Sequence, residues 1–475
     1  MSASLRRLSV AVCLVSAAMP LRAQPTSPSA NQRFAREIYQ EMIETNSSTT
    51  TMGTTILAQA MAKRFREAGF PESDIFMGGV RADKHNVVLR YHGKGGANGP
   101  KPLLLLAHLD VVEALKSDWS PDLDPFKLTE RDGYFYGRGV SDDKAQAAAF
   151  VANIIRLKQE GYVPDRDIIV ALTADEEGGC CNGARWLMAN HKGLVDAGVV
   201  INEGAFGYLK NGKPQANTVE ATQKVVATFT VMAKNPGGHS SLPRPDNAIL
   251  QLAAGLARFA QYAFPVELNP VTRAYFEETA KVESPVIATA MRAIVKNPND
   301  AAASAVLSRD PLYNSTLRTT CVPTMMKGGH ATNALPQTAE VSVNCRMVPT
   351  AKPADVRAAI VKAFADTGLE VSAASDREPP APSPLLPEVM GPIEALTKEF
   401  WGNIPVIPVM QTGATDAIPW RALGVPSYGV SGIMVDMSDF RAHGRDERLF
   451  VKSFYEGQEF LYRLTKALSS VTVVP

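Results

Sequence analysis

Apolar residues in the first half of the chain come in short unbroken runs. Residues 103–106 are four leucines, 168–172 read Ile-Ile-Val-Ala-Leu, and 199–201 read Val-Val-Ile. Such runs suit strands buried on both faces of a parallel sheet. Residues 86–91 read as another strand. Residues 31–69 carry apolar positions near helical spacing, with Gly69 as a C-cap. The Ala-rich run 145–157 also predicts a helix. Strand and helix alternate in this way to about residue 204, an α/β signature.

Beyond residue 222 the pattern changes. Residues 224–232 read as a strand, Pro236-Gly237-Gly238 as a turn and 247–264 as an amphipathic helix. Helical pieces fill 265–320. Alternation over 339–348 predicts a strand, and 353–367 a helix. These elements predict a small α+β domain inserted into the larger α/β domain. A proline-rich stretch (Pro379, Pro380, Pro382, Pro384, Pro387) would link back, and the runs 404–410 and 425–430 would complete the main sheet. The predicted division is 24–222 and 379–475 for the α/β domain and 223–378 for the insertion.

A chain of 475 residues exceeds one compact core, so more than one domain is expected. Residues 1–23 read as a secretory signal: Arg6-Arg7, an apolar stretch from Leu8 to Leu21, then Leu21-Arg22-Ala23 before Gln24. Without those arginines the balance is 46 basic against 48 acidic residues. No basic excess points to nucleic acid, and no charge block or second apolar stretch points to a membrane once the leader is gone. The expectation is an exported protein, periplasmic or secreted. Cys180, Cys181, Cys321 and Cys345 remain after the leader, with pairing open. Adjacent Cys180 and Cys181 read as metal ligands, a vicinal disulfide or buried small residues, the structural readings being favoured.

Polar clusters close the apolar runs. Ala107-His108-Leu109-Asp110 follows the first, Asp175-Glu176-Glu177-Gly178-Gly179 the second, and Asn202-Glu203-Gly204 the third. Ligands in open α/β sheets sit beyond the carboxyl ends of strands, so these groups can converge. His108 can ligate a metal while Asp110 holds its other nitrogen. Of Glu176 and Glu177, one can ligate and the other take a proton from an activated water. Glu203 has the same options. Ser141-Asp142-Asp143-Lys144 opens the Ala-rich helix, where acidic residues are favoured in any case; its functional reading is a carboxylate bridging two ions. Ala442-His443-Gly444 needs a chain that returns to the same sheet. Each cluster has a bland alternative as a solvated loop, a cap or a surface histidine.

Together and in this order the clusters resemble one family. It is the di-zinc peptidase and amidase family that includes carboxypeptidase G, the aminoacylases, the carnosine dipeptidases and the Gly-X carboxypeptidases. The matching stretches are Leu106 to Asp110, Gly137-Arg138-Gly139-Val140-Ser141-Asp142-Asp143-Lys144, Asp175 to Gly179, Gly237-Gly238-His239-Ser240-Ser241, and His443-Gly444. The resemblance implies a zinc-peptidase-like catalytic domain with an inserted lid or dimerisation domain. It implies two Zn²⁺ per subunit, with cobalt or manganese as substitutes. Asp142 would bridge them, His108 and Glu203 would complete one site, and Glu177 and His443 the other. Glu176 would be general base and acid, and the Asp142–Asp143 peptide would be cis. His239 would stabilise the oxyanion, from a partner subunit or by closing over the site. Asn333 and Arg346 would hold the substrate, Arg346 by its free carboxylate, with Gly413 and Thr415 on a contacting loop.

The expected function is hydrolysis of an amide beside a free carboxylate by metal-activated hydroxide. The substrate would be a small peptide (carboxypeptidase or dipeptidase type) or an N-acyl amino acid (aminoacylase type), and a homodimer through the lid is implied. Two readings of other classes compete: a non-catalytic metal-binding or dimerisation module, and a thiol enzyme using Cys180 or Cys181.

Overall fold

The computed structural model describes residues 27–96, 99–375 and 378–470. The expected leader lies outside them. Among the described residues no helix is long and apolar enough to cross a membrane.

Side-chain alternation builds the main sheet. Every residue of strands Leu103–His108 and Ile168–Thr173 is buried. Leu103, Leu105 and Ala107 face one apolar cluster, with Ile168, Val170 and Leu172 beside them. Leu104, Leu106, Ile169 and Ala171 face another on the opposite side. Both faces are therefore covered, which is why the sequence shows runs rather than alternation. Helices Ala30–Glu44, Lys144–Gln159 and Val451–Ser469 supply the first cluster, and Gly183–Asn190 the second. The predicted helical stretch 31–69 is two helices, Ala30–Glu44 and Gly53–Glu67. Ser29 and Gln32 form a capping box on the first. Gly69 follows the second at φ +83°.

Among the described residues, ten strands make this sheet. Leu103–His108 pairs in parallel with Ile168–Thr173 and with Val199–Asn202, which pairs in parallel with Ser427–Gly429. The carboxyl ends that carry His108, Glu176, Glu177 and Glu203 thus lie along one edge. The strand Lys213–Gln223 joins antiparallel to Ser427–Gly429 and parallel to Val406–Gln411. The sheet is mixed.

A second sheet has four strands in the order Thr320–Gly328, Thr338–Met347, Val225–Lys234, Leu369–Ala373, all antiparallel. Helices Ala248–Phe259 and Pro353–Phe364 cover one face through Leu252, Phe259, Ile360 and Phe364. Cys321 and Cys345, directly paired across two strands, form a disulfide.

Residues 265–320 depart from the expected single insertion. Helices Pro270–Thr279, Pro285–Lys296, Ala301–Leu307 and Pro311–Leu317 do not join the second sheet's core. Their apolar faces, with Phe276, Met291, Ile294 and Leu317, meet Ala216 and Ile407 of the main sheet. Periodicity shows that a helix has an apolar face but not which sheet receives it.

Candidate active site

Three strand ends and two loops bring the predicted residues together. His108, at the end of its strand, is 2% exposed. Its Nε2 lies 3.1 Å from Asp142 Oδ1, and its Nδ1 3.0 Å from the carbonyl oxygen of Asp110. The Asp110 carboxylate stands farther off, 3.8 Å from Nδ1. That carboxylate instead accepts the backbone N–H groups of Glu176 (3.1 Å) and Glu177 (3.0 Å). Asp110 thus positions the imidazole with its carbonyl and the paired glutamates with its side chain.

Asp142 sits at the mouth of helix Lys144–Gln159, and the Asp142–Asp143 peptide is cis. Its other oxygen, Oδ2, lies 3.1 Å from His443 Nε2, which is also 2.6 Å from Glu177 Oε1. His108, Asp142 and Glu177 each hold a ligand atom within 4.8 Å of the others. Glu203 is outside that tight group. It shares with Asp142 a cavity of about 240 Å³, whose wall includes Phe206, Tyr275, Ile433 and Phe440.

The charges answer one another. Burial opposes ionisation of Asp142, yet hydrogen bonds from His108 and His443 hold its carboxyl well below the usual range. Hydrogen bonds to Asp142 and Glu177 push His443 up to about 10. Burial favours neutral His108, but Asp142, Asp110 and Asp143 outweigh it and raise the imidazole. Burial raises Glu203, with Asp142 adding to the effect. Burial, with Asp416, Glu177 and Asp110, pushes Glu176 up to about 8. Neighbouring carboxylates thus favour the protonated forms of both imidazoles, and burial with neighbouring carboxylates those of Glu176 and Glu203, in a site rich in anionic groups. Imidazole and carboxylate donors in this density suit divalent cations.

Sequence reasoning missed the supports. Arg138 and Glu447 form a buried ion pair at 2.8 Å. Glu447 also accepts the N–H of Gly139 and the N–H and hydroxyl of Ser141, while Arg138 donates to the carbonyls of His443 and Gly444. The pair fastens the Asp142 loop to the His443 loop across the chain. Asp143 accepts the His108 N–H, and Asp416 accepts from Thr173 and Asn182 at 2.6 Å each. All four residues stand inside the quoted stretches or beside them, but their partners are remote in sequence.

Among the described residues, the remaining predicted residues make no hydrogen bond to this cluster. His239 is exposed on a two-residue strand paired with Ala334–Leu335, its Nδ1 2.7 Å from Ser241 Oγ. Asn333 is exposed, and its carbonyl accepts the Ser240 N–H. Arg346 is partly exposed on the second sheet. Thr415 is buried, packs on Gly204 and donates its hydroxyl to Gln223, whereas Gly413 is partly exposed. Cys180 and Cys181 form a vicinal disulfide, and Asp175 accepts the Cys181 N–H. With both sulfurs bonded, neither offers a thiol nucleophile.

A family model described as "Peptidase family M20/M25/M40" matches residues 104–467. The human protein described as N-fatty-acyl-amino acid synthase/hydrolase PM20D1 is 27% identical over 395 residues, covering 80% of this chain and 78% of its own. A probable carboxypeptidase S-like 2 from Dictyostelium discoideum is 28% identical over 457 residues, covering 88% and 86%. The fold resembles that of the M20 metallo-carboxypeptidase Sso-CP2 from Sulfolobus solfataricus, with a TM-score of 0.66 at 20% identity, covering 92% and 99% of the two chains. Human carnosine dipeptidase 1 gives a TM-score of 0.61 at 14% identity, covering 93% and 99%.

Proposed function

The chain belongs to peptidase family M20/M25/M40 and is a metallopeptidase/amidohydrolase of the zinc-dependent kind; from that premise we propose that it uses two metal ions to cleave an amide bond beside a free carboxylate. One observation carries the reading. The two oxygens of Asp142 each face a different histidine, His108 and His443, at 3.1 Å. A carboxylate so disposed suits a bridge between two cations. His108 and Glu203 would hold one ion, Glu177 and His443 the other. The donors fit Zn²⁺, with Co²⁺ or Mn²⁺ able to substitute. When bound, such ions lower the pKa of an attacking water and polarise the scissile carbonyl.

The chain's own groups do the rest. Glu176 takes the proton of the attacking water at its carboxylate and returns it to the leaving nitrogen. Added positive charge beside it favours its ionised form, against the burial that raises it. Asp110 holds the Glu176 and Glu177 backbones and the His108 ring in one frame. His239 would donate to the developing oxyanion, and Asn333 and Arg346 would hold the substrate's polar end, with Gly413 and Thr415 shaping the neighbouring loop. A non-catalytic module would have no use for Glu176 so placed.

The cavity beside Asp142 and Glu203 favours an N-acyl amino acid over a dipeptide. Its wall joins the polar groups of Asp142 and Glu203 to an apolar side with Phe206, Ile433, Met437 and Phe440, which suits an acyl chain. The leader-like pattern of residues 1–23 and two disulfides support a reading of export to an oxidising compartment. The edge strand Thr320–Gly328 exposes Val322, Met325 and Met326, which suits pairing with a second copy. We assign lid and dimerisation roles to residues 223–378 outside the helices packed on the main sheet.

The test is metal content measured together with turnover of N-fatty-acyl, N-acetyl and dipeptide substrates. We expect about two ions per chain and hydrolysis that a chelator abolishes and added metal restores. Metal-replete protein inert toward all three classes would sink the reading.

A further inference from the structure

Lys224 is the single residue between strand Lys213–Gln223 of the main sheet and strand Val225–Lys234 of the second. It is fully buried. Its ammonium donates to Ser315 Oγ and Thr320 Oγ1, both at 3.1 Å. Ser315 belongs to a helix packed on the main sheet, and Thr320 to the edge of the second. An ammonium has three N–H donors, so one is left over. No carboxylate pairs with it among the described residues. The charged neighbour that acts on it is a cation, Arg346; burial and then Arg346 lower its pKa to about 7.

Arg346 is equally short of a counter-ion among the described residues. It lies directly across from Thr320 on one side and Val226 on the other. Directly opposed residues project from the same face, and Lys224, two residues before Val226, falls on that face by strand alternation. Helices Ala248–Phe259 and Pro353–Phe364 cover the other face.

The molecule's other buried cations meet either carboxylates or neutral oxygens, Arg318 the carbonyl of Phe264 and the hydroxyls of Ser304 and Ser308; Lys224 differs from them in having a second cation, Arg346, as its charged neighbour. Arg138 pairs with Glu447, Arg421 with Glu220 and Lys84 with Asp175. Lys144 donates to the carbonyls of Met42 and Thr45. An unpaired buried charge is costly, and two like charges side by side more so. What is missing beside Lys224 and Arg346 is an anion.

We propose that Lys224 is a substrate-binding residue that, with Arg346, receives the free carboxylate of the substrate. The guanidinium would take it with two parallel hydrogen bonds, and Lys224 with its remaining N–H. The location suits a substrate spanning to the metal ligands. Lys224's own N–H donates to the carbonyl of Gln411, which lines the cavity that begins at Asp142 and Glu203. Thr316, next to Ser315, lines it too. The inference rests on the hydrolase reading and extends it to a residue outside the metal cluster.

The experiment compares a substrate carrying a free carboxylate with its carboxamide, on metal-replete enzyme. Lys224→Met should raise KM for the carboxylate about 10- to 100-fold, the range for a hydrogen bond to a charged group. Its KM for the carboxamide should not move, and kcat should change little. Lys224→Arg, which keeps the charge, should recover most of the loss. An equal rise for both substrates would reveal a merely structural residue and overturn the proposal, as would no rise for either. Should Lys224→Met fail to fold, Lys224→Gln, which keeps a donor for Ser315 and Thr320, serves the same comparison. Absence of turnover in the unmutated enzyme would instead sink the hydrolase reading. Lys224 is then still tested by calorimetric binding of a free N-acyl amino acid against its amide, to the unmutated chain and to the variant.

Discussion

The metal-ligand cluster and the open face of the second sheet meet their charges in opposite ways. Around Asp142 most charges meet a partner within the chain: two imidazoles on its carboxylate and on Glu177, and the Arg138–Glu447 pair behind them. Around Arg346 and Lys224 two cations are neighbours, Lys224 has two hydroxyl partners, and no carboxylate pairs with either among the described residues. His239 and Asn333, on the same second sheet's loops, are exposed. On the reading proposed above, one region is assembled before any substrate arrives, and the other would be completed by the substrate's carboxylate. Substitutions in the first should therefore disturb assembly or chemistry, and substitutions in the second should disturb recognition.

The sharpest division concerns Glu176. Glu176→Gln should retain metal and melting temperature while turnover falls about 10²- to 10⁴-fold, the span for a positioned acid–base group. Near-normal turnover would remove Glu176 from the chemistry. Glu447→Gln should act on assembly instead. It leaves buried Arg138 without its partner, which costs about 3–5 kcal/mol of stability, and it loosens the His443 loop. A denaturant melt checks it, and an unchanged midpoint would refute the role. His239→Ala should lower kcat about 10²-fold, as loss of one oxyanion donor does, with the melting temperature unmoved. A loss of stability there would erase the contrast.

The smallest effect separates protons from metal. Without metal, Glu176 is raised to about 8 from 4.5 and His443 to about 10 from 6.5. From pH 5 to about 7 the folded chain then holds protons that the unfolded chain releases, so these groups make stability fall as pH rises there; above that, Lys144 and Lys224, lowered to about 7, act the other way. The chelated protein should melt lower at pH 7 than at pH 5.5, and added metal should flatten that slope. A chelated protein more stable at pH 7 would mean that the cluster is not proton-balanced as described.

The two regions were also unequally legible. The buried parallel strands were readable because both faces are covered, leaving no polar positions to interrupt Leu103 to Leu106 or Ile168 to Leu172. Their ends located His108, Glu176, Glu177 and Glu203. Strand Lys213–Gln223 was invisible for the opposite reason. It is central and largely buried, yet it carries Asn217, Thr218, Glu220, Thr222 and Gln223. Long-range partners satisfy several of them, Arg421 for Glu220 and Thr397 for Asn217 among them, and hydropathy cannot register such partners. The same limit hid Glu447 and Asp416. Helices 270–317 were legible as helices, but their attachment to Ile407 and Ala216 depends on a surface assembled from distant segments.

Lys213–Gln223 and Val225–Lys234 form almost one continuous ribbon, interrupted at a single residue. The passage between the sheets is therefore one residue long, and it is fastened from three directions: the Lys224 N–H on Gln411 of the main sheet, and its ammonium on Ser315 and on Thr320 of the second sheet. An anion that met this ammonium would act on the point where the chain crosses from one sheet to the other, ahead of the strand that leads to Gly238 and His239.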